Sequence, residues 1–242
     1  MWALGLAGYN AARFGNIFET GHRYQLTGPA LPADYRQVVS FAYILPNLYS
    51  TLFRPAAFSP GDFPFVVIPY ISEKMWPWFI HLPPAYYYSE PIAGVLMVVP
   101  AFWLAILPLL GAVKSAWNWL AELPLQEAAV RPPELRWVWW ILAGALLCSL
   151  ASLLLFISSS MRYLADIAPL LTLLSAMGLW WSLDFFRSRP AASRVLLLLA
   201  VLLCLASILI SLFANFKNGD KRFETNNPAL YHAIAQFFTR GR

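Results

Sequence analysis

Apolar residues along this chain collect into four stretches of bilayer length, at 91–113, 135–158, 163–186 and 195–216. A helix rises about 1.5 Å per residue, so roughly 20 apolar residues cross a hydrocarbon core about 30 Å thick. The third stretch has only Asp166 and Asp184 as charges, one near each end, and the fourth has none. Buried helices of a soluble domain keep a polar face. These do not, and the pattern predicts an all-α polytopic membrane protein with four transmembrane helices over 91–216.

The first ninety residues follow another rule. The segment 1–8 is apolar but too short to span, lacks the basic start of a signal peptide, and reads as the end of a helix that begins upstream, with a segment lying at the interface as the alternative. Twelve of the 19 prolines lie between Pro29 and Pro100, ten of them before the first apolar stretch. Each fixes φ and removes a hydrogen-bond donor, so long regular helices are excluded over most of 9–90. An irregular backbone cannot face lipid with its polar groups unpaired, which puts 1–90 outside the core as a helix remnant and a large extracytoplasmic loop.

One part of that loop has helical spacing. Val38, Phe41, Ala42, Leu45, Leu48, Tyr49 and Leu52 share a face, with Arg36, Gln37, Asn47 and Ser50 off it. Asp34 is placed to cap this helix, Pro46 to kink it and Arg54-Pro55 to end it. It is expected either to lie in the interface or to pack on the spans. The residues around Trp76, Trp78, Tyr86, Tyr87 and Tyr88 read as an aromatic belt at headgroup level, with a sugar-stacking platform as the alternative. In the tail (217–242), Pro228 begins a short surface helix with Leu230, Ile234 and Phe237 on one face.

Composition agrees with membrane residence: 60% of residues are hydrophobic and 12% charged, against about 25% charged in soluble domains. The net charge of +5 comes from cations spread thinly through loops, with no basic run interleaved with stacking residues, which argues against a nucleic-acid partner. Membrane lipid is the partner these charges suit. Arg187, Arg189 and Arg194 crowd the connection between the third and fourth stretches, with Lys114, Arg131 and Arg136 on the same side, so that side is expected to be cytoplasmic. Cys148 and Cys204 fall inside spans and read as small packing residues, and Gly144, Cys148 and Ser152 form a small stripe suited to close helix approach.

Candidate chemistry collects at the outward mouth of the third stretch, where Arg162, Tyr163 and Asp166 bring a cation, a phenol and a carboxylate together. Ionisable groups at a membrane boundary are costly and so are functional candidates. Arg162 and Asp166, four apart, can pair along a helix; alternatively Arg162 can hold a phosphate through its planar fork, with Tyr163 assisting. His22 is the histidine in a polar loop and is a candidate for proton transfer, beside the simpler reading of a surface residue. No metal-ligand spacing, Gly-rich phosphate loop or nucleophile elbow is present.

Arg162-Tyr163 followed by Pro169 and a Leu-rich span resembles the later helices of GT-C glycosyltransferases. The likeness is to the dolichyl-phosphate-mannose mannosyltransferase-like and aminoarabinose-transferase-like bacterial proteins. The run Tyr9-Asn10-Ala11-Ala12-Arg13-Phe14-Gly15 with Glu19-Thr20-Gly21, and the closing Asn227-Pro228-Ala229-Leu230-Tyr231, are similar to segments of the same proteins. The resemblance implies a multi-pass enzyme of the bacterial plasma membrane that moves a sugar from a polyprenyl-phosphate carrier to an outer acceptor. It implies that Arg162, Tyr163 and Arg13 meet the carrier phosphate, and it allows a divalent cation held elsewhere. The family's paired acids are absent: Glu19, Asp34, Asp62, Glu73 and Glu90 stand apart, each read as a solvated loop acid. The chain is therefore expected to be the C-terminal portion of such an enzyme, without its catalytic carboxylate, and a non-catalytic scaffold or transporter piece is the rival reading.

Overall fold

The structure is a computed structural model that describes residues 2–19, 21, 35–70, 76–84, 86, 90–108, 133–217 and 221–239. It is mostly helical. Four helices precede the main bundle: α1 (Trp2–Phe14), α2 (Tyr35–Val38), α3 (Ile44–Leu48) and α4 (Val95–Val98). The bundle is built from α5 (Pro133–Leu155), α6 (Leu164–Phe185) and α7 (Pro190–Ala214), and the tail from α8 (Arg222–Asn226) and α9 (Pro228–Thr239). Among the described residues, three helices are long and apolar enough to cross a membrane, those of α5, α6 and α7. Large side chains such as Val195 at 66%, Ile208 at 62% and Leu198 at 61% exposure cover α7. So continuous an apolar surface is stable against lipid and not against water.

The stretch 91–113 is not a fourth span of this kind in its described part. α4 ends at Val98, and a 3₁₀ helix follows over Pro100–Ile106. Pro100 has no N–H to continue an α-helical ladder. The broken segment still enters the bundle: Val95, Leu96 and Phe102 pack on Leu164, Ile167 and Leu171 of α6. Its deeper end meets Gly178, where a Cβ would lie 2.3 Å from the Leu104 carbonyl oxygen. Leu164 and Gly178 are about 21 Å apart along α6, so the segment penetrates well into the membrane region.

Broken backbone at that depth needs partners from its neighbours. Ser207 of α7 accepts from the Ala101 N–H at 2.9 Å, and Ser175 of α6 donates to the Phe102 carbonyl at 3.5 Å. Both serines are buried. The helix α6 is therefore central: 33% of its apolar stretch is buried, against 6% for α5 and 11% for α7.

The loop packs on one end of the bundle. Ser40 N–H donates to the Leu155 carbonyl, Val39 bridges Phe156, and Ile68 N–H reaches the Lys217 carbonyl. A two-stranded hairpin, β1 (Ala57–Phe58) with β2 (Val66–Val67), lies beside the end of α7. Phe63 sits in an aromatic cluster with Phe65, Phe213, Phe216, Tyr231 and Phe238 that holds α9 down.

Two expected features come out differently, the loop helix and the small stripe of α5, and the tail helix gains a buried anchor. The loop helix starts at Ser40, whose hydroxyl accepts from Ala42 N–H, and runs through Phe41–Tyr43, α3 and a π-helical turn at Tyr49–Phe53 before Arg54 turns extended ahead of Pro55. Its most buried residues are Tyr43, Pro46, Asn47, Ser50 and Thr51; of the expected apolar face Val38 is buried and Leu48, Tyr49 and Leu52 are partly so, while Phe41 is 82% exposed. In α9 the buried residue is Tyr231, with Leu230 and Phe237 exposed. Among the described residues nothing packs closely on the small stripe of α5, because Gly144 has open space where a Cβ would go and Cys148 is exposed.

Candidate functional site at the loop-facing end of the bundle

Two polar layers lie where the loop meets the ends of α5 and α6. The inner layer is buried. Asn47, with no exposure, directs its amide nitrogen to the carbonyls of Leu153, Leu154 and Phe156 at 3.0, 3.1 and 2.6 Å. Leu153 and Leu154 lie in the last turn of α5, whose carbonyls lack intrahelical partners, and Phe156 directly follows it, so Asn47 caps α5 from another segment. Its Oδ1 accepts from the Tyr86 hydroxyl at 2.7 Å. Tyr86 lies 3.1 Å from Ser159 Oγ, which accepts from the Ser50 hydroxyl at 2.9 Å. Ser159, Tyr86 and Asn47 can therefore donate in one direction along a relay that begins at Ser50.

Burial raises the Tyr86 phenol above its ordinary pKa, so it stays a neutral donor. Burial also lowers Arg54, whose Nη2 is 3.4 Å from the Tyr70 carbonyl. Arg54 holds Gly94 against the loop helix: its carbonyl accepts from Gly94 N–H at 2.7 Å, and a Cβ on Gly94 would sit 2.4 Å from Leu52 and Phe53 backbone atoms. Trp76 packs between Tyr49 and Tyr86, whereas Trp78 is 90% exposed beside Phe79. The aromatic segment thus divides, with Trp76 turned inward and Trp78 outward.

The outer layer is charged. The 3₁₀ turn Met161–Tyr163 starts at Ser160, whose Oγ accepts from Arg162 N–H at 3.3 Å. The same hydroxyl donates to Glu90 Oε2, and Arg162 Nη2 donates to Glu90 Oε1. Arg162 therefore pairs with Glu90, 72 residues away, and not with Asp166. Glu90 is correspondingly an engaged carboxylate, not a solvated loop acid. Asp166 is exposed in the first turn of α6, where the helix dipole favours a negative charge. Tyr163 is half-buried with its ring edge-on to Phe156 at 5.8 Å.

Arg13 is not brought to this cluster by any described contact. Its guanidinium lies 5.7 Å from the Tyr9 ring and 5.1 Å from the Phe14 ring, and it donates to the Tyr9 hydroxyl. His22 lies outside the described residues, as do Asp34, Glu73, Tyr87, Tyr88, Lys114 and Arg131.

Beside the charged layer runs a partly open cleft of about 230 Å³. Met161, Leu164, Ala165 and Ala168 form one wall, with Val98 and Phe102 opposite; Ser211 and Asn215 of the α7 end add polar atoms. Met161 and Leu164 of the cleft wall lie one residue before and two residues after Arg162, so the cation sits on the turn that carries the apolar wall, without lining the cleft itself. Among the described residues no three of His, Cys, Asp and Glu come together as metal ligands. Glu90 has both oxygens engaged and Asp166 stands on an exposed face, so these residues do not supply the oxygen set a divalent ion needs.

Sequence reasoning assigned no site role to Glu90, Asn47 and Ser207, while the serines 158–160 stood at the start of its candidate mouth. Only the polarity of Asn47 and Ser50 within an apolar run signalled a partner. No family model matches the chain, and comparison with curated proteins and with solved structures finds no significant similarity.

Proposed function

We propose that this chain is the carrier-lipid side of a membrane glycosyltransferase, binding a polyprenyl phosphate from which a sugar passes to an acceptor outside the membrane. The observation that carries this reading is a cation on the same turn as an apolar cleft, Arg162 beside Met161 and Leu164. That pairing matches an amphiphile with an anionic head and an apolar chain, and Arg presents the fork geometry that phosphate oxygens accept. The likeness of Arg162-Tyr163 and its surroundings to GT-C proteins supports the same reading. The test is binding of farnesyl monophosphate to the full chain in nanodiscs. Arg162→Ala should weaken it about tenfold, as loss of a charge-assisted contact does, and farnesol binding should not change. Unchanged phosphate binding in Arg162→Ala would remove the site.

A scaffold reading is favoured by one observation, that Arg162 already has a protein partner in Glu90. It expects Arg162→Ala to lower thermal stability while leaving phosphate binding as it was.

A further inference from the structure

We propose that Glu90 occupies the headgroup site as an internal anion, and that a phosphate must displace it from Arg162 to bind. This rests on the reading of Arg162 as the phosphate contact. The Glu90 carboxylate is held at both oxygens, by the Arg162 guanidinium and by the Ser160 hydroxyl. Those are a donor fork and a hydroxyl on one turn, a set that suits a phosphate equally well. The pair lies at the surface: the Arg162 side chain is 78% exposed and that of Glu90 33% exposed. An incoming headgroup can therefore reach the guanidinium, and the released carboxylate has water to enter.

Exposed ion pairs are weak, biasing an equilibrium by about fivefold or less in most measured cases, so the exchange is thermodynamically easy. A phosphate monoester carries about −1.5 to −2 charge and three acceptor oxygens, against one charge and two oxygens for Glu90. The exchange selects for strongly anionic heads, because a ligand with a single carboxylate gains nothing over the residue it must evict. Self-competition also reduces the apparent affinity by the fraction of chains in which Arg162 is free.

The experiment measures farnesyl monophosphate and farnesol binding to the full chain in nanodiscs for wild type, Glu90→Gln, Arg162→Ala and the double variant. Glu90→Gln should tighten phosphate binding about three- to tenfold, the range expected from an exposed pair plus one hydroxyl contact. The double variant should bind as weakly as Arg162→Ala, and farnesol should be indifferent to all three. If Arg162→Ala weakens binding but Glu90→Gln leaves it unchanged or weaker, displacement is wrong and Glu90 orients Arg162 for its ligand. If Arg162→Ala has no effect, the phosphate site itself is wrong. Should Glu90→Gln fail to fold, Glu90→Asp, one methylene shorter, draws the carboxylate back from Arg162 and should also tighten binding, and unchanged or weaker binding there overturns the displacement.

Discussion

Asn47 shows how one side chain joins two distant segments. It is fully buried, caps the last carbonyls of α5 with its amide and takes the Tyr86 hydroxyl on its oxygen. Removing it takes the amide donor from the buried carbonyls at the α5 end and the acceptor from the Tyr86 hydroxyl, a cost of about 1–3 kcal/mol for each group left unsatisfied. Asn47→Ala should therefore lower stability by about 2–4 kcal/mol. Asn47→Asp should be worse despite its equal size, because a carboxylate would face three carbonyl oxygens and has no amide hydrogen to offer. Thermal unfolding in detergent checks both, and a milder Asn47→Asp would mean that the amide is not the cap. At this scale the sequence named Arg162 and Tyr163 as residues of the mouth. It could not name the Arg162 partner, because a contact across 72 residues has no local spacing to read, whereas Asp166 at four residues does.

The helices α5, α6 and α7 were legible as elements, since length and continuous apolarity are local properties, and only their ends shifted by a few residues. Faces were not. A hydrophobic stripe predicts the buried side of a helix in water, but beside lipid an apolar residue loses nothing by facing outward. In the loop helix the inward places go to Asn47 and Ser50, whose polar groups find buried partners, while Phe41 and Leu45 face out, and in α9 Tyr231 is buried while Phe237 is not. Close approach likewise depends on the neighbour: α6 meets the Pro100–Ile106 helix at Gly178, and α5 has open space at Gly144. Gly178→Ala should destabilise by about 1–3 kcal/mol through overpacking against the Leu104 carbonyl. Gly144→Ala should be neutral or up to about 1 kcal/mol stabilising, from helix propensity alone. Melting temperatures of the two variants decide this, and equal effects would contradict the packing of α6 on that segment.

At the scale of the molecule, the two ends of the bundle differ. One end carries the loop, Trp78 and the Arg162–Glu90 pair; the other carries exposed Trp137, Trp140 and Trp180 with exposed Arg187, Arg189 and Arg194. Along α6 these ends are about 27 Å apart, counting from Tyr163 to Trp181, close to the thickness of a hydrocarbon core. Aromatic side chains thus flank the apolar band at both boundaries. The arginine-rich turn should be cytoplasmic. With Cys148 and Cys204 replaced by Ala, a membrane-impermeant maleimide applied to intact cells should label Ser59→Cys in the hairpin and not Ser188→Cys in the turn. The opposite pattern would reverse the orientation, and labelling of both would contradict placement of the two segments at opposite ends.

Membrane residence and the three long apolar helices are legible without any structure, because hydrophobic length is a sum over consecutive residues and needs no partner. The fate of 91–108 was decided in three dimensions. Its apolarity alone reads as another span, yet Pro100 breaks it, and the break is tolerable only because Ser207 and Ser175 arrive from α7 and α6 to meet the freed backbone. The pairing of Glu90 with Arg162, and with it the shape of the candidate headgroup site, was decided in the same way. Polar groups near a membrane must find partners, and which partner each finds depends on how separate helices are placed side by side.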